Sequence, residues 1–253
     1  MPVKTRVMPT LLFSNVGLVK GVKFDSWRRT GSALQAIKVY NMREVDELVF
    51  LDIRATPDMR APDFAQVDEL ADECFMPMTV GGGVKNTDHI GGLLGVGADK
   101  VAINTAAFER PKLIEEGARQ FGAQCIVISI DALRHEDGKL EVMTHCGTRR
   151  TGKDPVEWAK EAEAAGAGEI LLTSVDRDGT FTGYDVALTR AVSDAVRIPV
   201  IASGGCGKYE HMAEVLRDGK AAAVAAASIF HFTEQTPREA KLHLKAQGFN
   251  VRV

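Results

Sequence analysis

The sequence predicts a single α/β domain over residues 1–253, folded as a closed (β/α)8 barrel, the TIM-barrel architecture. Short apolar strands alternate with longer amphipathic segments, which is typical of parallel strands joined by crossover helices. Eight such pairs fit within 253 residues, the usual size of this barrel. The two halves of the chain also repeat one pattern at an offset of 122 residues, which favours a closed symmetric architecture. An open doubly wound sheet is the competing prediction, but its switch point would break this symmetry.

The predicted strands and helices alternate along the whole chain. The predicted strands are Arg6–Leu12, Glu47–Asp52, Met78–Val80, Lys100–Ile103, Cys125–Ile130, Glu169–Thr173, Val200–Ala202 and Ala222–Ala226. The predicted helices lie near residues 33–43, 63–74, 87–96, 110–121, 155–166, 185–196, 209–218 and 237–247. Two long connections, residues 14–32 and 132–154, each follow a strand. In a barrel they lie at the C-terminal end of the strands, where long loops often cover or bind ligands.

The repeat places identical residues at matching positions of the two halves. The matched pairs are Pro77 and Pro199, Gly82 and Gly204, Gly83 and Gly205, His89 and His211, Gly97 and Gly219, and Phe108 and Phe230. The same offset places Glu47 on Glu169, and the paired histidines on predicted helices indicate a structural role. Because a Gly-Gly turn after an apolar strand is duplicated, a candidate anion site is duplicated too. Two such sites at one mouth indicate a ligand with a phosphate at each end.

The two glycine-rich turns are predicted to bind phosphate. Glycine lets the backbone approach an oxyanion and direct N–H groups at it, helped by the positive end of the following helix. Hydroxyl and amide side chains at the ends of the fourth and eighth strands supply further donors. The predicted phosphate-binding residues are Gly82, Gly83, Asn104, Thr105, Ser203, Gly204, Gly205, Ala227 and Ser228. The alternative is that the glycines serve only tight turns, and the duplication of the pattern disfavours it.

Carboxylates at strand ends are candidates for proton transfer. Asp131 follows the buried run ending at Ile130, where apolar walls raise a carboxyl pKa toward neutrality and suit it to general acid–base chemistry. The alternative is an ion pair with Arg134 or a helix cap. Asp52, Asp176 and Asp178 also lie at strand ends. The segment 176–180 has the composition of a turn, so a structural role is equally compatible with it.

Lys20 lies in the long connection 14–32, from which its ammonium group could reach a ligand phosphate. A single lysine in a loop is more often a solvent-exposed side chain. The sequence leaves both interpretations of Lys20 open.

Four charged residues begin predicted strands 1, 2, 4 and 6, and they are predicted to form a ring of ion pairs. They are Arg6, Glu47, Lys100 and Glu169. In a barrel they lie at the end opposite the glycine turns. Stability alone is a poor reason to bury such a ring, because desolvation largely offsets the attraction. The alternative is a set of solvated charges at the strand edges.

Composition excludes several classes of function. A formal net charge of −3 with scattered Lys and Arg argues against a nucleic-acid partner, and no segment approaches the roughly 20 apolar residues of a membrane span. The four cysteines form no Cys-x-x-Cys pair, so we expect free thiols in a reducing compartment, the cytoplasm. No histidine marks Cys146 or Cys206 as a nucleophile. No metal-ligand spacing is present, and no cofactor is predicted.

Several long runs resemble the cyclase subunit of imidazole glycerol phosphate synthase. They are Asp46-Glu47-Leu48-Val49-Phe50-Leu51-Asp52-Ile53, Thr79-Val80-Gly81-Gly82-Gly83, Gly97-Ala98-Asp99-Lys100-Val101, Ile103-Asn104-Thr105-Ala106-Ala107, Gly166-Ala167-Gly168-Glu169-Ile170-Leu171-Leu172-Thr173-Ser174, Asp176-Arg177-Asp178-Gly179-Thr180 and Ile201-Ala202-Ser203-Gly204-Gly205. The resemblance implies a phosphorylated small-molecule ligand at the top of the barrel, with Lys20, Thr173 and Asp178 beside it. It also implies that a glutaminase partner binds at the bottom of the barrel. The ring of four charged residues is then the gate through which the partner's ammonia enters.

One position departs from the pattern of that family. The resemblance implies an acid–base pair of aspartates ending strands 1 and 5, and Asp131 matches the second. In Pro9-Thr10-Leu11-Leu12-Phe13, Leu12 stands where the first aspartate is expected, and neither Ser14 nor Asn15 restores a carboxylate. General acid–base help is worth roughly 10²–10⁴-fold in rate, so losing one member should cripple cyclisation.

Leu12 favours a divergent branch of the family, associated with surface-polysaccharide biosynthesis. Leu11-Leu12 and Glu73-Cys74-Phe75-Met76-Pro77 resemble that branch. The preferred hypothesis is an ammonia-transferring barrel subunit of an amidotransferase complex that serves amidino-sugar, hence lipopolysaccharide, biosynthesis. The first alternative is a genuine histidine-biosynthesis cyclase, a lyase, that tolerates Leu12. The second is a non-catalytic scaffold that binds a phosphosugar.

Overall fold

The structure, a computed structural model, describes residues 4–15 and 17–253. Its strands are β1 Arg6–Ser14, β2 Gly17–Val22, β3 Asp25–Gly31, β4 Leu48–Asp52, β5 Met78–Gly81, β6 Lys100–Ile103, β7 Ile126–Arg134, β8 Leu140–Thr144, β9 Arg149–Arg150, β10 Glu169–Ser174, β11 Val200–Ser203 and β12 Ala223–Ala226. Its α-helices are α1 Ala33–Met42, α2 Phe64–Ala71, α3 Thr87–Gly95, α4 Thr105–Glu109, α5 Lys112–Phe121, α6 Pro155–Ala164, α7 Val186–Ala195, α8 Tyr209–Arg217, α9 Ser228–Phe232 and α10 Pro237–Ala246. A short 3-10 turn spans Ala123–Cys125.

Eight of these strands form a closed parallel barrel. The order around it is β1, β4, β5, β6, β7, β10, β11 and β12, and β12 pairs with β1. Every neighbouring pair in this circuit is parallel, including β7 with β10. The predicted (β/α)8 TIM barrel is therefore confirmed, and the open doubly wound alternative is wrong.

The two long connections fold as hairpins rather than as loops. β1 runs on to Ser14 and pairs antiparallel with β2, and β7 runs on to Arg134 and pairs antiparallel with β8. Backbone hydrogen bonding in these hairpins explains why both strands extend beyond the ends predicted for them. Each hairpin projects from the C-terminal end of the barrel, so both stand beside its mouth.

Apolar side chains fill the barrel interior and the layer between strands and helices. The interior cluster consists of Met8, Val49, Ala102, Val127, Leu171, Ile201, Ala223 and Ala225. Alternate residues on the same strands, such as Leu48, Phe50 and Ile128, pack outward under the helices. Burial on both faces explains why these strands read as continuous apolar runs in the sequence.

The repeat corresponds to a duplicated strand register. Leu48 pairs with Met78 in the first half, and Ile170 pairs with Val200 in the second, each 122 residues later. The offset becomes 123 at the last strand of each half, because β6 begins at Lys100 and β12 at Ala223. The proposed match of Phe108 with Phe230 is therefore wrong at the structural level, since the one-residue shift aligns Phe108 with His231.

Candidate functional site

A cavity with a volume of about 140 Å³ opens at the C-terminal end of the barrel strands. Both glycine-rich turns line it, so the two candidate anion sites share one mouth. The predicted site residues that line it are Lys20, Gly82, Gly83, Asn104, Thr105, Asp131, Thr173, Asp178, Ser203, Gly204, Ala227 and Ser228. Gly205 does not line the cavity, and its carbonyl instead accepts a hydrogen bond of 2.8 Å from the Gly183 N–H. Whether these residues bind phosphate remains a prediction.

The two turns need glycine for reasons of space as well as conformation. Gly82 has φ +110° and Gly204 has φ +89°, a region that L side chains rarely adopt. A methyl group at Gly82 would lie 2.2 Å from the carbonyl oxygen of Asp52, and one at Gly204 would lie 2.6 Å from that of Ser174. Asp52 and Ser174 are themselves 122 residues apart. Gly82 and Gly204 therefore do serve tight turns, the alternative role considered for them. The close backbone contacts hold both turns against the cavity in the same way.

Two short helices begin at the cavity wall, one in each half. Asn104 and Ala227 are the residues before α4 and α9, and Thr105 and Ser228 are the first helical residues. The Thr105 hydroxyl accepts a hydrogen bond of 3.0 Å from the His145 N–H. The Ser228 hydroxyl is buried and has no hydrogen-bond partner among the described residues. An unpaired buried hydroxyl costs free energy, which makes Ser228 a ready donor to a ligand.

Asp131 has the environment of a proton-transferring carboxyl group. It is 9% exposed, and its Oδ2 accepts a hydrogen bond of 2.9 Å from the Asn104 amide. Burial, and then the negative charge of Asp178, raise the pKa of Asp131 to about 7. The alternative pairing with Arg134 is wrong, because Arg134 instead contacts Asp185 at 2.6 Å. A carboxyl group with this pKa exchanges a proton readily at neutral pH.

Lys20 is buried rather than on the surface. Its side chain faces the cavity because β2 folds back antiparallel on β1, and the whole residue is 1% exposed. Its Nζ lies 2.5 Å from Asp178 Oδ2 and 3.1 Å from the Gly21 carbonyl oxygen. The interpretation of Lys20 as an exposed loop lysine is therefore wrong. Burial raises the pKa of Asp178 even though the Lys20 charge acts to lower it.

Leu12 lines the cavity at the position that corresponds to Asp131 in the other half. Leu12 pairs with Leu51 of β4, and Asp131 pairs with Thr173 of β10. Leu51 and Thr173 are 122 residues apart, so the same register relates their partners. The first half of the barrel therefore presents an isobutyl group where the second half presents a carboxyl group.

The other two strand-end carboxylates hold local structure. Asp52 lines the cavity, but its Oδ1 accepts hydrogen bonds from the Arg54 and Ala55 N–H groups, at 2.9 and 3.0 Å. Its Oδ2 lies 3.2 Å from the Arg60 guanidinium. Asp176 lies outside the cavity lining and accepts from the Arg134 N–H at 3.2 Å. The structural interpretation therefore describes Asp176 correctly.

The four charged residues at the strand starts form one connected cluster at the opposite end of the barrel. Arg6 contacts Glu47 at 2.5 Å and also contacts Glu169. Lys100 Nζ lies 2.9 Å from each of these two glutamates. The glutamate side chains are buried, and about a fifth of each cation is exposed, so the interpretation as solvated strand-edge charges is wrong. Below we call Arg6, Glu47, Lys100 and Glu169 the charged ring.

Sequence reasoning missed several residues of the cavity. Thr10 and Ser129 line it two positions before Leu12 and Asp131, where the period of a strand would have placed them. The Thr10 hydroxyl is buried and has no partner among the described residues. Phe24 and Trp27 also line the cavity, from the β2–β3 hairpin that was expected to be a loop.

Comparison with known protein families adds one finding to this geometry. The family described as histidine biosynthesis protein matches residues 6–236, which include all eight barrel strands. The chain belongs to this family. The predicted resemblance to histidine-biosynthesis barrels is thereby confirmed at the level of the family.

In this histidine-biosynthesis family barrel, all four cysteines are unpaired. Cys146 and Cys206 line the cavity, and burial raises the pKa of each thiol to about 12, which keeps both in the unreactive thiol form near neutral pH. Within residues 4–15 and 17–253, no group of three or more His, Cys, Asp or Glu is arranged to hold a metal ion. None of the helices described above combines the length and apolarity needed to cross a membrane.

Proposed function

We propose that this chain is the barrel subunit of a glutamine-dependent synthase, in which a glutaminase partner supplies ammonia and the cavity holds a phosphorylated ligand. The observation that carries the proposal is the placement of the charged ring and the cavity at opposite ends of one barrel. Membership in the histidine biosynthesis family and the resemblance of long runs to its cyclase both favour this function. The proposed order is delivery at the ring, passage through the barrel and reaction in the cavity.

The interior between the two ends suits a neutral nucleophile. It is filled with apolar side chains, among them the small residues Ala102, Ala223 and Ala225. Burying an ammonium ion among such groups costs far more free energy than burying neutral ammonia. We therefore propose that nitrogen crosses the barrel as ammonia, and that a proton is left at the charged ring.

The end of the barrel that carries the ring also exposes large apolar side chains. Phe75 is 84% exposed and Met42 is 78% exposed. Asn41 links their segments, because its amide donates to the Glu73 carbonyl at 2.6 Å and its Oδ1 accepts from the Phe75 N–H at 3.1 Å. Exposed side chains of this size are typical of surfaces that a partner covers. We propose that the glutaminase docks over Phe75 and Met42.

The cavity is better suited to amine addition than to ring closure. Leu12 cannot hold or transfer a proton, so of the two positions that the family uses for acid–base chemistry only Asp131 carries a carboxyl group. Simple addition of ammonia to an electrophilic carbon needs fewer proton transfers than forming an imidazole. We propose that the product is an amide or amidine, made in the biosynthesis of an amidino sugar of a surface polysaccharide.

Two experiments test the proposed function together. The first asks whether the purified chain forms a stable complex with a glutaminase subunit from the same organism, and whether Phe75→Ser weakens that complex; exposed Phe232→Ser is the matched control. The second asks whether the gene rescues a histidine auxotroph that lacks its cyclase. We expect a complex and no rescue. Absence of any complex would refute the proposed partnership, and rescue would refute the proposed amide or amidine product.

A genuine histidine-pathway cyclase is the second candidate. One observation favours it, namely the intact contact between Asn104 and Asp131, with a carboxyl pKa of about 7 that suits general acid–base catalysis. Rescue of the auxotroph would establish this candidate. Loss of that rescue in Asp131→Asn would show that this carboxyl group performs the chemistry.

A further inference from the structure

The cavity contains an unusual balance of charges for an anion site. Among the described residues that line it, Lys20 is the only lysine or arginine, whereas Asp52, Asp131 and Asp178 all line the same cavity. A phosphate dianion entering this space meets more negative than positive charge. Coulomb repulsion is strong in a partly dry site, so we expect the balance of charges to change when the anion binds.

The negative charge of Asp52 is compensated by neighbouring groups, so this carboxylate does not contribute to the imbalance of charges. Two backbone N–H groups donate to its Oδ1, and the Arg60 guanidinium lies 3.2 Å from its Oδ2. The unbalanced charges are therefore those of Lys20, Asp131 and Asp178. Asp131 is about half protonated at pH 7 because its pKa is raised to about 7, so the fully formed ion pair of Lys20 and Asp178 is the contact that an anion must disturb.

The Lys20 ammonium group can form a close ion pair with only one anion at a time. Its Nζ lies 2.5 Å from Asp178 Oδ2, and the pair is almost completely buried. A strongly charged phosphate in the cavity competes with a single carboxylate for the same ammonium group. When Lys20 turns to the ligand, Asp178 loses its only ion-pair partner among the described residues, while it stays buried and next to the new negative charge.

We propose that anion binding draws Lys20 from Asp178 to the ligand and that Asp178 takes up one proton from solvent in the same step. The proton converts the Asp178 carboxylate to a carboxylic acid, so the net charge of the protein groups in the cavity rises by one. This inference rests on the proposed function insofar as the ligand is phosphorylated. It gives the cavity a second proton-carrying carboxyl group beside Asp131, in a site where Leu12 supplies none.

Among the titratable groups around the ligand site, Asp178 and Asp131 are the two carboxyl groups whose pKa is raised. Burial raises the thiol pKa of Cys146 and of Cys206 to about 12. His231, behind Thr10, has its pKa lowered by burial and by the charge of Lys20, so it stays neutral. Movement of Lys20 away from Asp178 removes the interactions that lower the pKa of Asp178. Anion binding therefore raises the pKa of Asp178 further, and the protein takes up a proton.

The test is isothermal titration calorimetry of the full chain with sulfate, at pH 7, in two buffers of different ionisation enthalpy. Sulfate has the shape of phosphate and does not titrate near neutral pH, so any proton taken up binds to the protein. We expect uptake of about 0.5–1 proton per sulfate. The uptake should fall only in part in Asp131→Asn, disappear or fall to the Asp131 share in Asp178→Asn, and be lost together with tight binding in Lys20→Met. A second measurement needs no variant, since carboxyl carbon NMR should show Asp178 becoming protonated as sulfate is added.

The outcomes separate this inference from the proposed function. Sulfate binding without proton uptake, or uptake that is unchanged in Asp178→Asn, would overturn the inference and leave the phosphate site standing. Uptake that disappears in Asp131→Asn would assign the proton to Asp131 and overturn it as well. Failure of sulfate, inorganic phosphate and ribulose 1,5-bisphosphate to bind would remove both the inference and the phosphorylated ligand, while the test of the glutaminase complex would remain independent.

Discussion

Glu47 and Glu169 lie 122 residues apart in the chain and hold the same two cations in the folded protein. Each glutamate contacts both Arg6 and Lys100, and Glu47 also accepts a hydrogen bond of 2.8 Å from the Thr79 hydroxyl. Burial would raise the pKa of Glu47, but the charges of Arg6 and Lys100 outweigh it and lower that pKa. The charged ring is therefore one cooperative unit, in which removing any member leaves buried charge behind.

Lys100→Met should destabilise the protein at neutral pH. It leaves two buried glutamates with only one cation, and breaking a buried ion pair costs about 3 kcal/mol in the free energy of unfolding. The stability that comes from the lowered pKa of Glu47 is present above its unfolded pKa and is lost as the pH falls through the folded pKa. The deficit should therefore be full at pH 7 and shrink below about pH 4.5. Urea denaturation at both pH values measures it.

The control for Lys100→Met is Lys160→Met, which removes an exposed pair with Glu157. It should change the unfolding free energy far less than Lys100→Met does, because solvent screens an exposed pair. Equal losses in the two variants would show that the charged ring contributes no more than a surface pair.

Asp131→Asn should stabilise the protein at alkaline pH. Because burial raises the pKa of Asp131 to about 7, ionising this group in the folded state costs free energy, and stability falls between about pH 4 and pH 7 as the unfolded chain loses its proton first. Removing the charge should raise the unfolding free energy by about 2–4 kcal/mol at pH 8 and by little at pH 4. Urea denaturation at the two pH values tests this, with the exposed Asp68→Asn as control. A gain that is independent of pH would contradict the raised pKa.

Leu12→Asp should confer cyclase activity if the missing carboxylate is what limits the chemistry. We expect at least about a 10²-fold gain over the wild-type chain, because the variant regains one general acid–base group. The measurement is chromatographic detection of the aminoimidazole carboxamide nucleotide formed from the ribulosyl substrate and an ammonium salt. Leu12→Asn introduces a side chain with the size and polarity of aspartate but without a titratable proton, so this variant should stay inactive. Wild-type activity equal to that of Leu12→Asp would refute the limiting role of Leu12.

Gly204→Ala should disturb the second phosphate turn more than a comparable glycine change elsewhere. The added methyl group would lie 2.6 Å from the Ser174 carbonyl oxygen, at a glycine with φ +89°. Gly152 has a similar φ of +72° but no atom within 4 Å of the added methyl group, so Gly152→Ala isolates the cost of conformation. We expect losses of about 2–4 kcal/mol and about 1 kcal/mol respectively in thermal or urea unfolding. Weaker sulfate binding should accompany only the Gly204 change.

The sequence predicted the barrel and most of the cavity because both depend on local periodicity and on the repeat. Apolar runs of strand length and the duplicated Gly82 and Gly204 turns mark the C-terminal strand ends, so the residues at those ends necessarily meet. The charges at Arg6, Glu47, Lys100 and Glu169 were predictable for the same reason, since strand starts converge at the other end.

What the sequence did not reveal depends on tertiary pairing. Lys20 looked like a loop residue because nothing local shows that β2 pairs with β1 and turns the side chain inward. The alternative pairing of Asp131 with Arg134 was wrong for a related reason, since Asp185 approaches Arg134 only after the barrel closes. The one-residue shift of the repeat offset at β12 was also invisible, because the alanine-rich segment 221–227 offers no marker of register.

The two halves of this chain contribute different charges to the charged ring. Both of its cations belong to the first half, and the strand registers place uncharged Cys125 and Ala223 at the corresponding positions of the second half. Two copies of the first half would bring twice as many cations as glutamates together, and two copies of the second half would bring glutamates without any cation. Only the mixed combination is electrically neutral. A half-barrel expressed alone should therefore fail to pair with itself and should instead recruit the other half in trans.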